Sequence, residues 1–118
     1  MVEINETIFH KILKKEIPSD CVYEDDDVYA FRDINPQAPV HVLIIPKAVD
    51  LQKLSDSKEE HKKILGILLY SASVIAKQEK IDEDGFRVVI NNGKDGGQEV
   101  NYLHVHLLGG KKFNWPPG

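Results

Sequence analysis

Residues 96–110 read GGQEVNYLHVHLLGG, and the alternation inside them decides the fold. Along an extended strand successive side chains point to opposite faces. Leu103, Val105 and Leu107 then share one side, while Tyr102, His104 and His106 share the other. The two-residue rise sets the imidazoles about 7 Å apart at their roots, close enough to act on one ligand. One reading is a pair of half-exposed strand histidines without a task. The other is a site, as two metal ligands or as a nucleophile beside a proton donor.

The stretch upstream supplies a neighbouring strand, FRVVINN (86–92), and a loop, NNGKDGGQ (91–98). Gly93, Gly96 and Gly97 permit positive φ and bring backbone N–H groups close to a ligand, a property that suits an anion. No GKS, GKT or GxGxxG accompanies them, so the loop is otherwise a plain strand connection. Earlier still, SKEEHKKILGILLYSASVIAKQEK (57–80) predicts a long helix with Ser57 and Glu60 as a capping box. Ile64, Leu65, Leu68, Leu69, Ala72, Ile75 and Ala76 form its apolar stripe.

VHVLIIPK (40–47) predicts a strand, after a loop at NPQAP. CVYEDDDVYAFRDI predicts two more, Val22 to Glu24 and Val28 to Ile34, turned by the acidic run. TIFHKILKKEIPSD predicts a short helix ended by Pro18. Helix, three strands, long helix and two strands make an α+β fold, a mostly antiparallel five-stranded sheet covered by the long helix. Residues 1–118 form one domain, with 1–6 expected as a flexible tail.

With 118 residues the chain can bury a core unaided. Its net charge of −4 argues against a general grip on nucleic-acid backbone. Cys21 is the single cysteine, so no intrachain disulfide can form; it is expected half-buried on a strand in a reducing compartment. MVEINETIFH lacks the pattern of a secretory signal, and ILGILLYSASVIA is too short to span a bilayer. A cytoplasmic protein, or one shared with the nucleus, is expected. His10 and His61, set among lysines and glutamate, read as solvated.

Zinc needs at least three donors, and His41 could join His104 and His106, with Cys21 a remote fourth. No CxxC or HExxH spacing supports it.

LHVHLLGG, the closing WPPG and DINPQAPVHVLIIPK upstream together resemble the histidine triad (HIT) family, in its Hint branch, from Thr7 to Gly118. That family's pattern is His-φ-His-φ-His-φ-φ, with φ hydrophobic. Here it is Tyr102-Leu103-His104-Val105-His106-Leu107-Leu108, so the first histidine is absent. The resemblance implies a homodimeric HIT fold that binds purine nucleoside monophosphates such as AMP and hydrolyses nucleoside phosphoramidates, with no obligatory cofactor. It makes His104 the nucleophile, its other nitrogen bonded to the carbonyl of Tyr102. Because a carbonyl does not depend on its side chain, the missing histidine need not abolish turnover. His106 would donate to a phosphate oxygen, and it favours hydrolase over the related transferases, which carry glutamine there. His41 would support the pocket.

The resemblance also places Asp33 on the ribose hydroxyls, Ile8, Phe9, Ile12 and Phe31 around the purine, and Asn91, Gly97 and Gln98 by the phosphate. Residues 111–118 would reach the other subunit's active site, with Trp115 a contact for the leaving group. Glu99 stands where the family has a serine. A carboxylate about 4 Å from a phosphate is repelled by about 1 to 4 kcal/mol, unless it swings away, is protonated, or meets a cationic amine.

Overall fold

The central strand, β3 (Val40–Pro46), carries two cores on its two faces. Val42 and Ile44 point to one side and Leu43 and Ile45 to the other, as β alternation requires. The computed structural model describes residues 6–118, and residues 1–5 of the expected tail lie outside the described residues. Glu6 is paired with Lys14.

The remaining elements are α1 (Ile8–Leu13), β1 (Cys21–Glu24), β2 (Val28–Arg32), α2 (Lys62–Gln78), β4 (Phe86–Val89) and β5 (Val105–Gly109). One sheet forms in the order β1-β2-β3-β5-β4, antiparallel at every junction. The fold is α+β, as the sequence predicts. One sheet face packs Val28, Ala30, Val42, Ile44, Val105 and Leu107 against Leu68, Ala72, Ile75 and Ala76 of α2. The small Ala72 and Ala76 let the helix lie close to the sheet, and each large aliphatic buried there contributes about 1.5 to 3 kcal/mol. Phe9 and Ile12 of α1 cover part of the opposite face with Tyr29, Phe31 and Tyr102. Among the described residues no helix is long and apolar enough to cross a membrane.

Several boundaries differ from the sequence reading. The long helix starts at Lys62, after two 3₁₀ turns at Leu54–Asp56 and Glu59–His61. Ser57 and Glu60 form no capping box: the Ser57 hydroxyl donates to the Leu54 carbonyl at 2.7 Å, closing the first turn. His61 instead accepts from the Lys58 N–H through Nδ1 at 2.8 Å, so it is not simply solvated. His10 is likewise engaged, accepting from the Thr7 N–H at 2.9 Å and lying edge-on to Tyr102. α1 stops at Leu13 rather than at Pro18, because Lys15 turns to φ 65° and the Glu16 N–H returns to the Lys11 carbonyl.

β2 ends at Arg32, where the Asp33 carboxylate accepts from the Asn35 N–H at 2.9 Å and starts a turn. In the first hairpin, the Asp25 carboxylate accepts from the N–H groups of Asp27 and Val28 and fixes the acidic turn. Cys21 is exposed, not half-buried.

β5 joins the ladder only at Val105, since the Leu103 N–H is taken by the Leu51 carbonyl at 2.7 Å. The alternation nevertheless continues back to Tyr102, with Leu103 in the α2 core and Tyr102 in the other. The paired glycines after Leu108 have separate causes. A Cβ on Gly109 would stand 2.5 Å from Ile81 Cδ1, and Gly110 turns the chain at φ 87°.

Candidate active site

On the α1 side of the sheet lies a cleft of about 720 Å³, inside the span of about 300 to 1,000 Å³ usual for small-molecule sites. A single row of paired residues makes its floor. Phe31 faces Leu43, Leu43 faces His106, and His106 faces Val89, crossing from β2 to β4. Ile8, Phe9 and Ile12 close the apolar end beside Phe31. Asp33, His41 and His104 line the same cleft, and Asn91, Gly97 and Glu99 enter it from the β4–β5 connection. The fold thus brings together residues up to 98 positions apart, Ile8 and His106, that the sequence reading placed in one site.

Of the residues expected around the nucleotide, Gln98 stands outside this cleft. Gln98 braces the loop: its Oε1 accepts from the Gly93 N–H at 2.9 Å, and its Nε2 donates to the Gln52 and Val100 carbonyls. Trp115 is 82% exposed on the C-terminal segment, which Arg87 holds through the Asn114 carbonyl. The glycine loop is also less of an anion cradle than its sequence suggests. The Gly97 N–H donates to the Lys94 carbonyl and the Gln98 N–H to the Gly93 carbonyl, so the loop's donors serve the loop. Polar contacts to an anion are then left to the histidines and to the Asn91 side chain that lines the same cleft.

Hydrogen bonding assigns the proton on each ring. His104 Nδ1 lies 2.6 Å from the Tyr102 carbonyl, which can only accept, so Nδ1 carries the hydrogen and Nε2 keeps its lone pair. Phe9 packs edge-on against the His104 ring at 5.1 Å and fixes its plane. His41 Nδ1 accepts from the Gln37 N–H at 3.0 Å, so the hydrogen of a neutral His41 sits on Nε2. That Nε2–H donates to His106 Nδ1 at 2.9 Å. His106 in turn carries its hydrogen on Nε2, which is buried without a partner among the described residues. A relay of one amide and two imidazoles therefore leaves one donor available within the cleft, with the His104 and His106 rings 5.0 Å apart. Buried donors are rarely left unpaired, so this one marks a place for an acceptor.

Gln37 was invisible to sequence reasoning because it acts on His41 through its backbone, while its side-chain amide donates to the Asn35 carbonyl at 3.1 Å. Tyr102 uses its ring for support as well: its hydroxyl donates to the Pro46 carbonyl at 2.5 Å. Burial raises that phenol to about 12.

Burial also lowers the pKa of all three histidines. For His104 the Tyr102 carbonyl and the charges of Asp33 and Glu99 oppose the shift, and for His41 Asp33 does so. His106 falls to about 4, through burial and then the neighbouring His104 and His41. The folded state thus resists protonation that the unfolded chain accepts below 6.5. Stability from His106 is fully present above 6.5 and is lost as pH falls toward about 4. The full loss is roughly 3 kcal/mol. Denaturant titrations across this range should show it, and their difference from a His106→Gln variant isolates the imidazole. Equal pH dependence in both proteins would refute it.

Asp33, His41 and His106 could also hold a metal ion, each offering a donor within 4.8 Å of the others. Cys21 is not in this group, and Asp33 takes the place given to His104 in the zinc reading. Two nitrogens on a tetrahedral zinc stand about 3.3 Å apart, both presenting lone pairs. Here they lie 2.9 Å apart with a hydrogen between them. As they stand the donors fit that hydrogen, and an ion would enter only by displacing it.

The HIT domain family model matches residues 14–113. The 14 kDa zinc-binding protein of Zea mays is 65% identical over 113 residues, covering 95% of this chain and 88% of its own. Adenylylsulfatase HINT1 of Arabidopsis thaliana is 60% identical, over 95% of this chain and 76% of its own. Purine nucleoside phosphoramidase of Escherichia coli (strain K12) is 54% identical over 106 residues, 90% of this chain and 88% of its own. Among solved structures, a HIT family hydrolase from Legionella pneumophila Philadelphia 1 superposes with a TM-score of 0.92 at 44% identity, covering 96% of this chain and 100% of that one. With the row of histidines across β3 and β5 and a family match over most of its length, the chain belongs to the histidine triad (HIT) family.

Proposed function

We propose that this chain hydrolyses the P–N bond of purine nucleoside phosphoramidates through a nucleotidyl-histidine. The carrying observation is the bond from His104 Nδ1 to the Tyr102 carbonyl, which leaves Nε2 as a neutral nucleophile beside a His106 donor that has no partner among the described residues. The similarity to a purine nucleoside phosphoramidase supports the substrate class. In the first step Nε2 bonds to the α-phosphorus as the P–N bond breaks; the amine nitrogen takes a proton from solvent, and His104 keeps its Nδ1 hydrogen as a phosphorylated imidazolium. Water then attacks the same phosphorus and gives its proton to solvent, the bond to His104 breaks to regenerate the neutral imidazole, and the nucleoside monophosphate departs. His106 Nε2–H stabilises the charge on the phosphoryl oxygens in both steps. The apolar wall of Ile8, Phe9, Ile12 and Phe31 suits a purine, and Asp33 suits the ribose hydroxyls.

The reading extends to a homodimer. β4 is a sheet edge, and Leu69 and Tyr70 on α2 are 51% and 72% exposed, which supports joining two copies along that side. Trp115 would then reach the other copy's cleft.

No metal enters these steps. A fluorogenic adenosine phosphoramidate should be cleaved at the same rate with and without chelator. Nucleotide binding without cleavage would overturn the hydrolase reading, and loss of rate on chelation would assign the Asp33–His41–His106 group to a metal.

A further inference from the structure

The cleft is unusually poor in positive charge for a site that takes a phosphate. Its one lysine or arginine is Arg32, and that guanidinium is committed to Glu79 at 2.7 Å and faces Asp20 at 3.6 Å. Asp33 and Glu99 both line the cleft. Asp33 has work in the fold, since its carboxylate accepts from the Asn35 N–H and lies 3.5 Å from His41 Nε2. Glu99 has no hydrogen-bond or ion-pair partner among the described residues, although it lies close enough for its charge to favour the imidazolium of His104.

The other walls have roles in the proposed function. α1 and Phe31 fit the base, Asp33 fits the sugar, and the His106 donor fits the phosphoryl oxygens. The side formed by Val89, Asn91, Gly97 and Glu99 adjoins the phosphoryl donor, since Val89 pairs with His106 across β4 and β5, and there it can meet the group that leaves. A bare carboxylate there repels an anion and attracts a cation over the few ångströms at which unit charges matter most.

We infer that Glu99 selects the leaving group by charge, so that the preferred substrates are nucleoside phosphoramidates of amines bearing a second, cationic group. This rests on the hydrolase reading above and adds a charge requirement to it. Leaving groups that are themselves anionic, such as sulfate, carboxylate-bearing amines or further phosphates, are disfavoured. Discrimination of this kind reports on relative binding in the transition state and so appears in kcat/KM.

Three adenosine phosphoramidates of similar length separate the possibilities: those of putrescine (cationic), butylamine (neutral) and γ-aminobutyrate (anionic). In the wild type, kcat/KM should follow cation over neutral over anion, with about ten- to hundredfold between the extremes. Glu99→Gln should collapse the cation-to-anion ratio toward unity, and raised salt should shrink it in the wild type only. The ratio is internal to each protein, so a general loss of activity in the variant does not mimic the effect. The same compounds are also bound to His104→Ala and to His104→Ala/Glu99→Gln, where the nucleophile is gone, and affinities replace rates. A ratio unmoved by Glu99→Gln in both rates and affinities overturns the inference while leaving the hydrolase intact. Charge-ordered affinities with no turnover in the wild type overturn the hydrolase and keep the charge selection.

Discussion

Alanine at position 104 should lower kcat/KM for an adenosine phosphoramidate by at least about a thousandfold, the scale on which a covalent route depends on its nucleophile. The strand register offers no substitute. His106 Nδ1 is occupied by His41 Nε2–H, and both nitrogens of His41 are engaged, with Gln37 and with His106. Neither neighbour presents a free lone pair to phosphorus. The change also leaves the Tyr102 carbonyl without its donor and removes a ring packed on Phe9. A stability loss of about 1 to 3 kcal/mol should accompany it. Calorimetric binding of AMP and a thermal melt separate chemistry from unfolding: a folded, AMP-binding and inactive variant is expected. Turnover within tenfold of the wild type would remove His104 from the nucleophile's role.

The fold was readable because burial here follows the period-two pattern so closely. Val42 and Ile44 against Leu43 and Ile45, or Val105 and Leu107 against His104 and His106, assign each strand's faces before any contact is known. Boundaries were less readable because they depend on single hydrogen bonds with several possible donors. Ser57 could accept from the first turn of a helix or donate to a carbonyl behind it, and the residue type alone does not choose. Gln98 shows the same limit within the site. Its amide suits a phosphate, but tying down a loop with glycines at φ 70° and 77° claims both ends of it.

The site's chemistry was legible in its side chains and hidden in its backbone. His41, His104 and His106 are rare enough in an apolar setting to be noticed. Nothing in the sequence shows that the Gln37 amide sets the tautomer of His41, and through it that of His106. Tyr102 explains how a chain lacking the first histidine of the pattern keeps the geometry. The carbonyl holds His104, and the ring anchors that carbonyl by reaching Pro46. Position 102 thus carries two duties on one residue, one from the main chain and one from the side chain.

His106→Ala should cost about a hundred- to a thousandfold in kcat while changing KM much less, as removal of a single oxyanion donor does. Gln37 N–H fixes His41, His41 fixes His106, and the last Nε2–H is buried with no acceptor among the described residues. A donor kept dry and unpaired in the resting protein needs no reorganisation when charge builds on the phosphoryl oxygens. Burial that holds His106 near 4 keeps it a neutral donor through the physiological range, so its contribution should not vary with pH there. His106→Gln restores an N–H donor on a shorter side chain and should recover part of the loss. His41→Leu should act more weakly and through His106, since it removes the hydrogen that sets the tautomer without removing the donor itself. The ordering His106→Ala below His41→Leu below wild type in kcat, with AMP affinity nearly constant, is the expected result. If His106→Ala instead raises KM with kcat intact, the ring binds the ground state and has no special hold on the transition state.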